Sequence, residues 1–230
     1  MSEKREIADP SQNYLISRLM PLLVDHPVKI VMDVGANDGY NLSNSYSLIE
    51  MGWKGILVEP NPHTCNRMIE LWGKNTNVLI FKGALSNFIG STKLFADNEG
   101  FDKQSFSSTI DTADNEWTRE VINKEQSIEV EVTTISDLLN DIKLTQRNFA
   151  YLSVDTEGHD ISVLEGLGQF RPSVITTERD VWDVSKAMRK QQLLLGYGYI
   201  SVYHVGCNEI YVNSNCDYIK SKTKVLSKIY

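Results

Sequence analysis

Residues 29–39, Lys29-Ile-Val-Met-Asp-Val-Gly-Ala-Asn-Asp-Gly39, constrain this chain more than any other stretch. A short apolar run ends at an acidic residue, Asp33, and breaks into a glycine turn. A second apolar run, Gly55-Ile-Leu-Val-Glu59-Pro60, ends in another acidic residue, Glu59. A buried strand, a glycine turn and a helix bring backbone N–H groups up to a ligand. A carboxylate at the tip of the neighbouring strand suits the two hydroxyls of a ribose. Together they point to a nucleoside-cofactor site.

The surrounding pattern extends this into a fold. A helix is expected over 11–24, capped by Ser11, with Tyr14, Leu15, Leu19, Leu22 and Leu23 at helical spacing. Strands follow at Ile30–Asp33, Ile56–Glu59 and Val78–Lys82, with helices over 41–51 and 62–73 between them. Alternation of this kind implies a parallel sheet with right-handed crossovers. Residues 86–132 interrupt it with a β-rich insertion, strand-like at Ser91–Phe95 and Ile128–Val132. Its loop, Asp97–Glu125, carries Phe101, Phe106 and Trp117 and is expected to act as a lid. The pattern resumes with a short helix at Ser136–Asp141, a strand at Phe149–Asp155 and a helix bearing Ile161, Leu164 and Leu167. A strand at Val174–Glu178, a helix over 184–195 and a closing hairpin, Tyr199–His204 and Glu209–Val212, complete it. The division is an N-terminal helical segment (1–27), a main domain (28–213) and a lysine-rich tail (214–230).

With 230 residues and a net charge of −7, one α/β domain is expected, with neither nucleic acid nor an anionic membrane as partner. No secretory signal or membrane-length apolar run is visible, so the expected location is cytoplasmic. Cys65, Cys207 and Cys216 lack metal-site spacing. The oligomeric state is not encoded in any motif.

The turn Gly35-Ala36-Asn37-Asp38-Gly39 lacks the glycine register that pyrophosphate binding favours. It suits a cofactor without a diphosphate, whose amino-acid moiety meets backbone groups and short polar side chains. Asp33 is placed to receive an ammonium group, directly or through water, and Asn37 and Asp38 are natural polar lining. Glu59 would accept both ribose hydroxyls. Ala84, Leu85 and Ser86, after the third strand, lie where an adenine ring could slot.

Four segments then form an ordered set: Asp33–Gly39, Gly52-Trp-Lys-Gly-Ile-Leu-Val-Glu-Pro-Asn-Pro62, Gly83-Ala-Leu-Ser86 and Asp155-Thr-Glu-Gly-His159. Over residues 28–212 the chain resembles the FkbM family of S-adenosylmethionine-dependent methyltransferases. The resemblance implies a Rossmann-like, seven-stranded α/β sheet with helices on both sides. It also implies S-adenosylmethionine as methyl donor and mostly O-methylation of saccharide or small-metabolite hydroxyls. Carried over, Gly35, Ala36, Asn37 and Gly39 form the glycine-loop contact, Glu59 holds the ribose, and Ala84 to Ser86 sit by the adenine.

Acceptor chemistry is expected at the carboxyl ends of the later strands. There Asp155 is followed by Glu157 and His159, and Glu178 by Arg179 and Asp180. Methyl transfer to a hydroxyl needs in-line placement and a base. His159 titrates in the right range, and Asp155 or Glu157 could instead take the proton or orient the imidazole. Alternatively Asp155 and Glu178 could hold a divalent cation, an arrangement ranked below a base without metal. Two rivals remain at the sequence level: a donor-binding protein of the same fold without turnover, and a nicotinamide-dependent oxidoreductase, which the glycine register disfavours.

Overall fold

A computed structural model describes residues 10–97, 109–110 and 122–226. The opening helix α1 (Pro10–Leu23) leads into β1 (Ile30–Val34), then α2 (Tyr46–Glu50), β2 (Lys54–Val58), α3 (Pro62–Trp72) and β3 (Val78–Phe81). Next come β4 (Ala84–Leu85), β5 (Gly90–Asp97) and β6 (Ile122–Thr133). The chain continues through α4 (Ile135–Asp141), β7 (Tyr151–Val154), α5 (Asp160–Glu165), β8 (Val174–Glu178) and α6 (Val184–Gly196). It closes with β9 (Tyr199–Val205), β10 (Asn208–Asn213) and α7 (Asp217–Leu226).

Seven strands form one sheet in the order β3-β2-β1-β7-β8-β10-β9. Pairing is parallel from β3 to β8, while β10 runs antiparallel to both β8 and β9. The expected seven-stranded, mostly parallel sheet with a C-terminal antiparallel hairpin is what forms. Strand β1 is buried at every position because helices cover both faces of the sheet. Val31, Leu57 and Tyr151 face a core completed by α1, α2, α3 and α7. Met32, Val58 and Leu152 face the other, completed by α4, α5 and α6. Both terminal segments join the first core, through Leu15, Leu19 and Leu23 of α1 and Ile219 of α7. Among the described residues, no helix is long and apolar enough to cross a membrane.

The β-rich insertion is a separate three-stranded sheet in the order β4-β6-β5, with Ala84, Leu94, Val130 and Val132 at its centre. Strand β6 begins at Ile122, six residues before the expected Ile128, and pairs with β5 as far as Asp97. Thr109 forms an isolated antiparallel bridge with Phe95 of β5. Phe101, Phe106 and Trp117 of the expected lid lie outside the described residues.

One helix departs clearly from expectation. The span 41–51 reduces to Tyr46–Glu50, because polar side chains consume the preceding residues. Asp38 Oδ1 accepts from the N–H groups of Tyr40 and Asn41 at 3.0 and 2.8 Å, and its Oδ2 accepts from the Asn41 side chain at 2.7 Å. Short side chains that bond the backbone locally compete with helix in this way.

Candidate active site

The parallel strands β1, β2 and β7 deliver their carboxyl ends to one edge of the sheet, where open α/β sheets bind ligands. A cleft of about 570 Å³, its open mouth included, lies there. Val34, Gly35 and Asn37 come from the end of β1, and Val58, Glu59 and Pro60 from the end of β2. Ala84, Leu85 and Leu94 come from the small sheet, with Thr109 and Ile110 beside them. Asp155, Thr156, Glu157 and His159 close the far side.

Gly35 is where the first turn meets β7. It has φ of 85°, and a Cβ added there would lie 1.8 Å from the Asp155 carbonyl oxygen. No larger residue fits between those backbones. The N–H groups of Gly35 and Ala36 both reach the Val58 carbonyl at 3.0 Å, fastening the turn to β2. The next residue, Asn37, adopts φ of 53°, a left-handed conformation that asparagine tolerates.

Glu59 completes this end. Its Oε2 accepts from the Asn37 N–H at 3.0 Å and its Oε1 from the Asn61 N–H at 2.7 Å. Asn61 in turn caps α3, accepting from the His63 N–H at 3.0 Å, with Pro62 at the first helical position. One carboxylate thus holds two loops, and a carboxylate has lone-pair capacity for further donors beyond these bonds. Burial pushes the Glu59 carboxyl up to about 7, against the opposing pull of the Asn61 and Asn37 N–H groups. Asn37 also keeps a buried side-chain oxygen that has no hydrogen-bond partner among the described residues. An orphaned acceptor in a cleft wall is costly unless a ligand donor meets it. The donor set therefore fits a polar, nucleoside-bearing cofactor.

Other residues singled out in the sequence lie behind the cleft wall. Asp33 is buried, accepts from the Ser45 hydroxyl at 2.6 Å, and has its carboxyl pushed up by burial. Gly39 sits against the Trp72 ring, whose Nε1 donates to the Gly39 carbonyl at 3.1 Å. Ala36 is packed into the core, and Asp38 is engaged with Asn41 and, at 3.7 Å, Arg67. Ser86 is buried, with its hydroxyl 3.0 Å from His159 Nε2. This contact supports the imidazole from behind.

At the far side, charge replaces backbone. Asp155 follows β7 directly, and Glu157 adopts φ of 52° in the turn before α5. Burial, then the Glu178 and Asp160 carboxylates, push Asp155 upward, while Lys190 pulls it down. Glu157 is raised by burial and then by Asp155. Glu178 ends β8 outside the cleft lining and is pushed up to about 6, mainly by burial. Among the described residues, no group of three or more His, Cys, Asp or Glu side chains could hold a metal ion. A carboxyl poised near neutrality beside a cleft is suited to proton transfer.

Sequence reasoning missed the wall residues Leu94, Thr109 and Ile110, which arrive through the small sheet. It also missed Lys190, whose setting in Arg189-Lys190-Gln-Gln looks like a solvated helix face.

Comparison with known proteins agrees with this architecture. No curated protein matches the chain. A crystal structure of monomeric WbdD is similar at a TM-score of 0.50 and 11% identity, over 92% of this chain and 42% of that one. The chain therefore spans less than half the length of WbdD. A putative caffeoyl-CoA O-methyltransferase from Staphylococcus aureus is similar at a TM-score of 0.51 and 11% identity, over 90% of this chain and 85% of that one. At such identity the likeness is one of fold. The family described as "Methyltransferase FkbM domain" matches residues 33–200, from the end of β1 into β9. That span takes in the glycine turn, Glu59, Ala84–Ser86 and Asp155–His159, and the chain belongs to the FkbM family of S-adenosylmethionine-dependent methyltransferases.

Proposed function

We propose that this methyltransferase O-methylates a hydroxyl of a saccharide or another small metabolite. The observation that carries the proposal is that one cleft is lined by Asn37 and Glu59 together with Asp155, Glu157 and His159. Donor-holding groups at one side and proton-accepting groups at the other are what transfer to a hydroxyl needs.

Glu59 would hold the ribose through its remaining lone pairs, and the Asn37 side-chain oxygen would accept from the donor's polar end. Ala84 and Leu85 would flank the adenine with apolar surface. Bound there, S-adenosylmethionine supplies an electrophilic methyl group to the acceptor oxygen. Asp155 is the leading candidate to take the hydroxyl proton, because it stands at the strand end in the cleft and burial raises its pKa, making its ionised form a stronger base than an ordinary carboxylate. His159, held by Ser86, would serve as second base or as acceptor-orienting group. The route proposed is the base without metal, and no step is assigned to a divalent cation.

An acceptor screen scored by S-adenosylhomocysteine release, with saccharides and small hydroxylated metabolites, tests this. Release dependent on a hydroxylated acceptor supports it. Donor binding without release on any acceptor would favour the non-catalytic donor-binding alternative.

A further inference from the structure

Lys190 is a lysine midway along α6 that is only 1% exposed. Its ammonium pairs with Asp180 at 2.6 Å and with Asp160 at 3.6 Å, and it donates to the Glu178 carbonyl. These partners belong to different strand ends. Asp180 and Glu178 lie at the end of β8, and Asp160 opens α5 after β7. Asp160 also reaches back along its own loop. Its Oδ1 accepts from the Thr156 N–H at 3.0 Å and the Thr156 hydroxyl at 2.7 Å, pinning the turn that carries Glu157 and His159. A second lysine, Lys186, lies 3.3 Å from Asp180 but is 21% exposed at its side chain, so it supports only the β8 loop from the rim.

We propose that Lys190 is the positioning residue of the acceptor side, an internal ammonium that ties the Asp155–Asp160 loop to the Glu178–Asp180 loop. This role rests on the methyl transfer proposed above, since Asp155 and His159 are what the tie would position. A buried cation is retained at a desolvation cost only when surrounding acceptors compensate it, and here they lie on both loops. Removing the charge leaves Asp160 and Asp180 without it and frees two loops at once. Donor-side residues make no contact with it: Glu59 is held by Asn37 and Asn61 instead.

Lys190→Met, which keeps most of the packing volume and removes the charge, separates this tie from simple packing. Amide hydrogen exchange in the ligand-free protein should rise about tenfold in both 155–160 and 178–183, with 59–63 unchanged. With an acceptor from the screen, kcat should fall about 10- to 100-fold. S-adenosylmethionine affinity, measured by calorimetry, should stay within about twofold, since no donor-side contact is lost. Unchanged exchange in either loop, or equal losses of kcat and donor affinity, would overturn the proposal. Should Lys190→Met fail to fold, the charge-balanced pair Lys190→Met with Asp180→Asn is measured against Asp180→Asn alone, with the same two outcomes. Absence of donor binding by the wild type would defeat the methyl-transfer proposal instead, leaving the exchange result to judge the tie.

Discussion

The two sides of the cleft are stabilised by different physics. At the ends of β1 and β2, backbone contacts set the geometry: Gly35 lies against the Asp155 carbonyl, and Glu59 is fastened to the N–H groups of Asn37 and Asn61. At the ends of β7 and β8, burial and then neighbouring carboxylates push the pKa values of Asp155 and Glu178 up around the buried Lys190 ammonium. Backbone-built sites are rigid and tolerate no added atom, whereas charge-built sites respond to pH and to the loss of one partner. Rigidity suits a donor that is the same in every turnover. Poised charge suits a proton that must move.

The largest effect should come from Gly35→Ala. Its Cβ would lie 1.8 Å from the Asp155 oxygen, at a residue with φ of 85°. A loss of about 3 kcal/mol or more is expected, read as a fall in melting temperature or in folded yield. Gly52→Ala is the control, because Gly52 has φ of 86° but nothing within 4 Å. Its cost should be the strain alone, about 1 kcal/mol. Equal costs at the two positions would show that the β1–β7 approach is not what constrains the turn.

Next in size is Asp155→Asn. Turnover should fall by about 10²-fold, with donor affinity little changed. Near-wild-type turnover would remove an ionised carboxylate from the proton-transfer step. Glu59→Ala should do the reverse, weakening S-adenosylmethionine binding by about 1–3 kcal/mol through lost charge-assisted hydrogen bonds. An unchanged dissociation constant would take the ribose away from Glu59.

The smallest effect concerns pH. The Glu59 carboxyl is raised from its ordinary 4.5 to about 7 in the folded protein, so the proton is held more tightly there than in the unfolded chain. Its contribution to folding stability is therefore full below 4.5 and is lost as pH rises through about 7. Donor binding runs the other way in the proposed site, because there the ionised form would accept the ribose hydroxyls. Affinity should rise up to about tenfold between pH 6 and 8, and Glu59→Gln should flatten the profile. A profile identical in the variant would mean that another group titrates.

The same contrast explains what could be read in the sequence. The succession of strands along the chain and the glycine turn were legible because they depend on local signals: apolar runs ending at Asp33, Glu59 and Asp155, and glycines where backbones approach. Family resemblance added the adenine-side segment Ala84–Ser86, of which Ala84 and Leu85 line the cleft and Ser86 backs His159. The shortened α2 was not legible, because Asp38 competes for backbone N–H groups that helical periodicity assigns to a helix. Nor was the different placement of Asp33, which lies on the core face of β1 and meets Ser45. Lys190 was the least legible of all. Only tertiary packing brings a lysine from a polar helical stretch between two loops separated from it and from each other in sequence.

The central claim is that one cleft, built at the ends of β1, β2 and β7, binds the methyl donor. Calorimetric titration of the intact wild-type chain with S-adenosylmethionine, repeated with S-adenosylhomocysteine and with NADH, tests it most directly. One site per chain is expected, competed by S-adenosylhomocysteine and indifferent to NADH. Binding of NADH with none of S-adenosylmethionine would contradict the account.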